Sequence, residues 1–223
     1  TVEDDGTVVP HRFESIVTDL TKEVGGVRSV VAWDLDYSDN ELVEAELAFF
    51  AQDKDGNVWR MGEYPEEYDE KKVVAHPAWI HGLQEARAGI MMQASPKTGT
   101  RDYSQGWGPA GGWTDRARGD SVQTKACVKA GCYDDCIVIA ETSAAEAAVD
   151  AFQLKHYARN VGNVYVGRRG TGEKTKETLE LVKFEQLDAK ALAAARAKAL
   201  KLEASAYKMS PDLYGKTPPC KPA

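Results

Sequence analysis

No stretch of this chain approaches the ~18 consecutive apolar residues that a membrane-spanning helix needs. Its apolar runs, such as Ile137-Val138-Ile139-Ala140, have the length of a strand. There is no cluster of Lys and Arg either. Basic residues are scattered, and the formal charge of −7 repels phosphate backbones, so nucleic acid is excluded as an expected partner. Sequence signatures of a nucleophile elbow and of phosphate binding are missing: no Gly-x-Ser-x-Gly and no phosphate-binding glycine loop. Gly170-Thr171-Gly172-Glu173-Lys174-Thr175 has the residues of such a loop but neither its spacing nor a following helix. The histidines (His11, His76, His81, His156) form no His-x-His or His-Glu-x-x-His pattern. A metal site would require them to converge from separate elements. Asp53-Lys54-Asp55-Gly56-Asn57 does not make a calcium loop, because aligning Gly56 with the invariant glycine puts Ala51 and Gly62 at the two end ligands. The residues therefore predict no cofactor, no metal and no catalytic group.

What is present describes a folded, β-rich chain. Its 223 residues can bury a sizeable core, and 43% hydrophobic with 28% charged residues argues against disorder. Cys127, Cys132 and Cys136 lie close together, and Cys220 lies far from them. In a secreted protein an even count reads as two disulfides, with three possible connectivities. The alternatives are a four-cysteine zinc site, whose usual Cys-x2-Cys pairs are absent, and free thiols. Thr1 in first place suggests a processed product, so the expected location is extracytoplasmic.

The pattern along the chain is a meander. Val27–Tyr37 alternates, with Val31, Trp33 and Leu35 on one face and Ala32, Asp34 and Asp36 on the other. Glu41–Gln52 alternates likewise, and the Asp-Gly turn after it leads directly into Val58–Met61. Tyr64–Asp69 reads as an acidic loop. Further strands are expected at Val73–Ala75, Gly89–Met92, Val122–Val128, Cys136–Thr142, Phe152–Ala158, Asn163–Arg169 and Thr178–Leu187. Asp188 is an N-cap for an Ala-rich helix over Ala189–Ala206, with Leu192, Ala195, Ala199 and Leu202 on its apolar face. A Pro-rich extended tail follows. The expected organisation is a β domain over residues 1–187 and a helix with tail over 188–223. The fold class is mainly β, as a curved antiparallel meander sheet or partly open barrel with a C-terminal helix.

Two regions carry the functional expectations. Asp4–Thr7 has the composition of a hairpin turn, yet only a few residues precede it to form the first strand. If that turn belongs to a real hairpin rather than to a frayed N-terminal tail, the strand His11–Asp19 lacks a neighbour on one side, an edge open to homo-oligomer formation or to strand donation by another chain. The second region is the irregular stretch Pro96–Asp120. It sets Tyr103, Trp107 and Trp113 on glycine-rich backbone with Arg101, Arg116 and Arg118 nearby, the side chains of a contact surface or stacking site. The bland reading is that these aromatics cap one end of the core.

Phe49–Glu63, FFAQDKDGNVWRMGE, resembles the "YAQDKDGNVWYFGE" signature of an uncharacterised family of bacterial exported proteins and lipoproteins. Gly89–Pro96, Asp134–Val138 and His156–Val164 are similar to further motifs of that family, and the resemblance spans roughly residues 8–187. It implies an exported β protein and no known activity. It also implies a strand ahead of Glu3, which this sequence lacks, and Asp102-Tyr103-Ser104-Gln105 departs from the family's Tyr-Arg-Gln-Glu. The expectation is therefore a non-catalytic binding or assembly protein of the cell exterior, with another protein or a cell-surface component as partner. A carrier of an apolar small molecule and a metal-dependent hydrolase are the alternatives.

Overall fold

A computed structural model describes residues 1–3, 5–170, 172 and 176–223. The first sheet is built from long antiparallel strands: β1 (His11–Val24), β2 (Val27–Ser38), β3 (Glu41–Gln52) and β4 (Val58–Asp69). The outer side of β4 is shared by β5 (Lys72–Ala75), β6 (Trp79–Ile80) and β7 (Arg87–Met92). Next come the short β8 (Tyr103–Ser104) and β9 (Gly106–Trp107), which pair with different sheets. The second sheet contains β8, β10 (Arg116–Val128), β11 (Gly131–Thr142), β12 (Phe152–Ala158), β13 (Gly162–Arg169) and β14 (Leu179–Glu180). A single-turn helix, α1 (Ala144–Ala147), joins β11 to β12. The long helix α2 (Ala189–Met209) and a two-residue strand β15 (Lys221–Pro222) end the described chain. The protein is mainly β, its antiparallel sheets are not closed, and it carries a C-terminal helix. No helix among the described residues is long and apolar enough to cross a membrane.

Turn chemistry fixes the registers. Asp39 and Asn40 both adopt positive φ between β2 and β3, the demand of a tight hairpin that Asp and Asn tolerate. The β3–β4 turn is held by the Asp53 carboxylate, which accepts bonds from the Asp55 and Asn57 amides, the Asn57 side chain and the Trp59 indole. The Trp59 bond, with the others, holds the Asp53 carboxyl down at about 2.

One face of the first sheet is apolar and packs against α2. Val31, Trp33, Leu47, Phe49 and Tyr64 share a cluster with Ala195, Ala199, Leu202 and Ala206. Small helix residues bring backbone and sheet close, but they bury little area by themselves. A buried polar contact reinforces the seam. Lys22 Nζ donates to Glu203 Oε1 (2.9 Å) and to the Pro218 carbonyl (2.7 Å), and lies 4.2 Å from the centre of the Tyr214 ring. Glu203 also accepts from the Cys220 amide and the Tyr214 hydroxyl. The tail is therefore fixed, and β15 pairs with Leu20 and Thr21 of β1.

Several expectations are corrected. Tyr64–Asp69 is strand, the second half of β4. Pro65 lies opposite Glu46 of β3, and it is tolerated because on the outer side of β4 it falls between the segments that pair with β6 and β5. The irregular stretch is shorter than expected, since β10 begins at Arg116. Thr178–Leu187 forms ladder only at Leu179–Glu180. The two-disulfide reading also fails. Cys127 and Cys132 face each other across the β10–β11 hairpin and are bonded. Cys136 and Cys220 are free thiols in separate core regions. Asp4 of the first turn, and Thr171 and Glu173–Thr175 of the glycine loop, lie outside the described residues.

Candidate functional site

Strand alternation sets the polar face of the first sheet. Cross-strand registers place Asp36 beside Glu44 and Glu44 beside Glu67 in one row, and Asp34 beside Glu46 in the next. Like charges directly opposite repel, and Arg60 is the cation among them. Its guanidinium bonds both Glu46 and Glu63. One guanidinium does not balance so many carboxylates, so the cluster retains protons. Burial, and then Glu46, push Glu44 up to about 8. Burial raises Asp34 and Glu63 as well, with Glu46 adding to both. The protons belong to the cluster rather than to any single carboxyl.

The expected loop residues divide at this cluster. Trp113 turns inward, stacked 5.9 Å from Trp79 and 4.7 Å from the Arg60 guanidinium. Tyr103 also points in, and burial together with nearby Glu141 raises its hydroxyl to about 12. Glu141 on β11 accepts from Gln105 (3.0 Å) and Tyr157 (3.3 Å) and pairs with Lys155 (2.6 Å). Trp107 sits on β9 with 45% of its surface exposed, and Arg101 is exposed. Trp113 thus turns toward Trp79 and Arg60 and Tyr103 toward Glu141, while Trp107 and Arg101 do not join them. Sequence reasoning missed Arg60, Glu63 and Glu141. The one available signal was the run of acids alternating along β2–β4.

The histidines do not converge. His81 Nδ1 accepts from the Ala88 amide, His76 stacks on Tyr64, His156 meets the edge of Tyr165, and His11 lies between Asp36 and Glu177. Among the described residues no group of three or more His, Cys, Asp or Glu is placed to hold a metal. A shallow hollow of about 250 Å³ lies between Pro77–Ala78, Gln84 and Met209–Leu213. It is open, and His76 and Asp212 also line it.

The remaining feature is the edge of β1. Two bonds fix which peptide groups face outward. Pro10 O accepts from Asp39 on the β2 side, and Asp19 O accepts from Ala223 on the opposite side. With strict alternation, the odd-numbered residues His11, Phe13, Ser15 and Val17 aim their N–H and C=O groups away from β2. Among the described residues nothing pairs with Arg12–Thr18 on that side, since β15 covers only Leu20 and Thr21. Phe13 is 47% exposed and Val17 68% exposed. They share the face that carries Asp36 and Ala32, their partners on β2. An unpaired edge flanked by exposed apolar side chains is a pairing surface.

The chain matches no protein-family model, no curated protein and no solved structure.

Proposed function

We propose that this protein is a non-catalytic binding or assembly protein of the cell exterior, and that it engages its partner by strand addition along β1. The observation that carries the reading is the uncovered edge Arg12–Thr18 with Phe13 and Val17 exposed beside it. In strand addition the main chain supplies affinity, and alternate side chains supply selectivity. The Cys127–Cys132 bond supports an oxidising location, and the resemblance to exported bacterial proteins points the same way. The carboxylates around Arg60 and the loop aromatics serve as packing in this reading.

The test is native mass spectrometry of the protein recovered from the envelope of the cells that make it, beside its Val17→Lys variant. A lysine on an exposed edge blocks pairing without disturbing the ladder to β2. The wild type should carry an additional chain that the variant loses at unchanged melting temperature. An associated chain that survives Val17→Lys would refute the edge as the binding surface. A retained small apolar molecule with no added chain would favour a carrier.

A further inference from the structure

We propose that Glu141 and Lys155 form a self-modification site, at which the two side chains condense into an amide that ties β11 to β12. The reaction needs no partner and happens once per molecule, so it is independent of what β1 binds.

Strand register brings the two groups together. Ile139 pairs with Lys155, and Glu141 with Gln153, across the β11–β12 ladder. Paired residues share a face, and so do alternate residues along a strand. Glu141 and Lys155 are therefore diagonal neighbours on one face, within reach of long side chains. Lys155 Nζ lies 2.6 Å from Glu141 Oε2, and among the described residues Glu141 is its one ion-pair partner. The site is nearly closed to water. The Glu141 side chain is 5% exposed, and Gln105, Ile139 and Ala117 around it are buried. Lys155 keeps 24% of its side chain exposed, a way out for a released water.

The other buried pair, Lys22 with Glu203, is built differently. Lys22 Nζ also has the Pro218 carbonyl at 2.7 Å and the Tyr207 hydroxyl at 3.5 Å. Those acceptors hold an ammonium in place and would be forfeited by an amide.

An ammonium and a carboxylate do not react as such. Burial works against the charge on Lys155, and Glu141 is what holds that amine above its ordinary value. Moving one proton along the short contact from Nζ to Oε2 cancels both charges together, which burial favours. An amine then touches a carboxylic acid. Glu141 Oε1 meanwhile accepts from Gln105 Nε2 (3.0 Å) and from the Tyr157 hydroxyl (3.3 Å). These two donors are aimed where negative charge develops when Nζ attacks Cδ, the arrangement of an oxyanion hole. The C–N bond forms, a second proton leaves nitrogen, and the Cδ–Oε2 bond breaks. Oε2 departs as water with both protons that nitrogen lost, and nitrogen keeps the third. Ammonium and carboxylate have become amide and water, with no oxidant or cofactor.

Asp115 is placed to carry the second proton. It stands two residues before Ala117, the partner of Glu141 on β10. Burial pushes its carboxyl up, and the charges of Lys155 and Glu141 both bear on it. Contact between the reacting groups in a closed site supplies the proximity that the same condensation lacks in solution.

Mass spectrometry reads the bond directly. The wild type, reduced and denatured, should weigh about 18 Da less than its sequence, one water. Trypsin places that loss, because it does not cut after an amide-linked lysine. No Lys or Arg lies between Lys129 and Lys155, and the next after Lys155 is Arg159. Peptide 130–159 should therefore appear uncut and one water light. Lys155→Met should have its full mass. Asp115→Asn leaves both reacting groups in place and should link about a hundredfold more slowly, so that freshly made variant yields peptide 130–155 at full mass. If Asp115→Asn links as fast as the wild type, Asp115 is not the proton carrier. A missing water with Lys155 still cleaved would put the loss elsewhere, as at Asp55-Gly56, and overturn the proposal. Wild type at full mass, with peptide 130–155 released, would overturn it outright.

Discussion

Replacing Lys22 by methionine should detach the C-terminal helix more effectively than any apolar truncation along its seam. The side chain is fully buried, and its three donors go to Glu203, the Pro218 carbonyl and, at 3.5 Å, the Tyr207 hydroxyl. Methionine matches its length but leaves the buried Glu203 carboxylate with only the Cys220 amide and the Tyr214 hydroxyl. Removing one member of a buried pair costs about 3–5 kcal/mol, most of it the uncompensated charge. Whole domains are stable by only about 5–15 kcal/mol. For a chain of this size each kcal/mol moves Tm by about 2–4 °C, so the expected fall is roughly 6–20 °C. Urea unfolding gives the free energy, and hydrogen exchange locates the loss in Ala189–Met209. Glu203→Leu added to Lys22→Met should restore much of the stability, because an apolar pair of similar volume replaces an ion pair at little net cost. A single variant that loses under about 1 kcal/mol, or a double variant as unstable as the worse single one, would refute the account.

Stability should fall as pH rises through neutrality. Glu44, whose carboxyl has its ordinary value of 4.5 when unfolded and is pushed by burial up to about 8 when folded, keeps its proton longer in the native state. The unfolded chain therefore loses protons first, and alkaline conditions favour it. The urea midpoint should decline between about pH 5 and 8, and Glu44→Gln should flatten that slope; a midpoint that rises over this range contradicts the cluster's protonation. Trp113→Ala, which removes the stack on Trp79 and the contact with Arg60, should cost about 3–5 kcal/mol. Trp107→Ala should cost less than about 1 kcal/mol, and equal losses in thermal melts would show that the loop aromatics do not divide as described. Alkylation without reductant should leave Cys127, Cys132 and the buried Cys136 unlabelled in the native protein and react only slowly at half-buried Cys220, whose thiol burial and Glu203 push up, while denaturation should open both Cys136 and Cys220. Labelling of Cys127 or Cys132 under those conditions would remove the hairpin disulfide.

The legible parts of the fold were those where local and long-range signals agree. Glu41–Gln52 was readable to the residue because alternation and an Asp-Gly turn coincide there. Asp188 and an uninterrupted Ala-rich run likewise announced α2, which continues to Met209. The second half of β4 was not legible, because Pro65 and four acids between Glu63 and Asp69 have the composition of a loop. Their strand state goes with pairing to β3 and β5 and with the Arg60–Glu63 contact, none of which a hydropathy pattern reveals. The cysteines show the same limit. Which of them pair depends on the β10–β11 register, and three lie near enough in sequence for any choice. At the candidate site the edge was not legible by the expected route, because the first turn closes on itself through Val2 and Val8 while β1 starts only at His11. Arg60 and Glu141 were not legible either, since single charged residues on alternating strands carry no spacing that marks them as buried.

The C-terminal seam and the β1 edge are also one system. Lys22 lies on β1 and holds the Pro218 carbonyl, and the chain beyond Pro218 continues as β15 along Leu20 and Thr21 of that same strand. The contact that secures the helix therefore also holds β15 against β1. Lys22→Met should accordingly raise amide hydrogen exchange in the tail from Pro218 to Ala223 together with that of Ala189–Met209. Exchange that rises in the helix alone would show that the tail is held independently of Lys22.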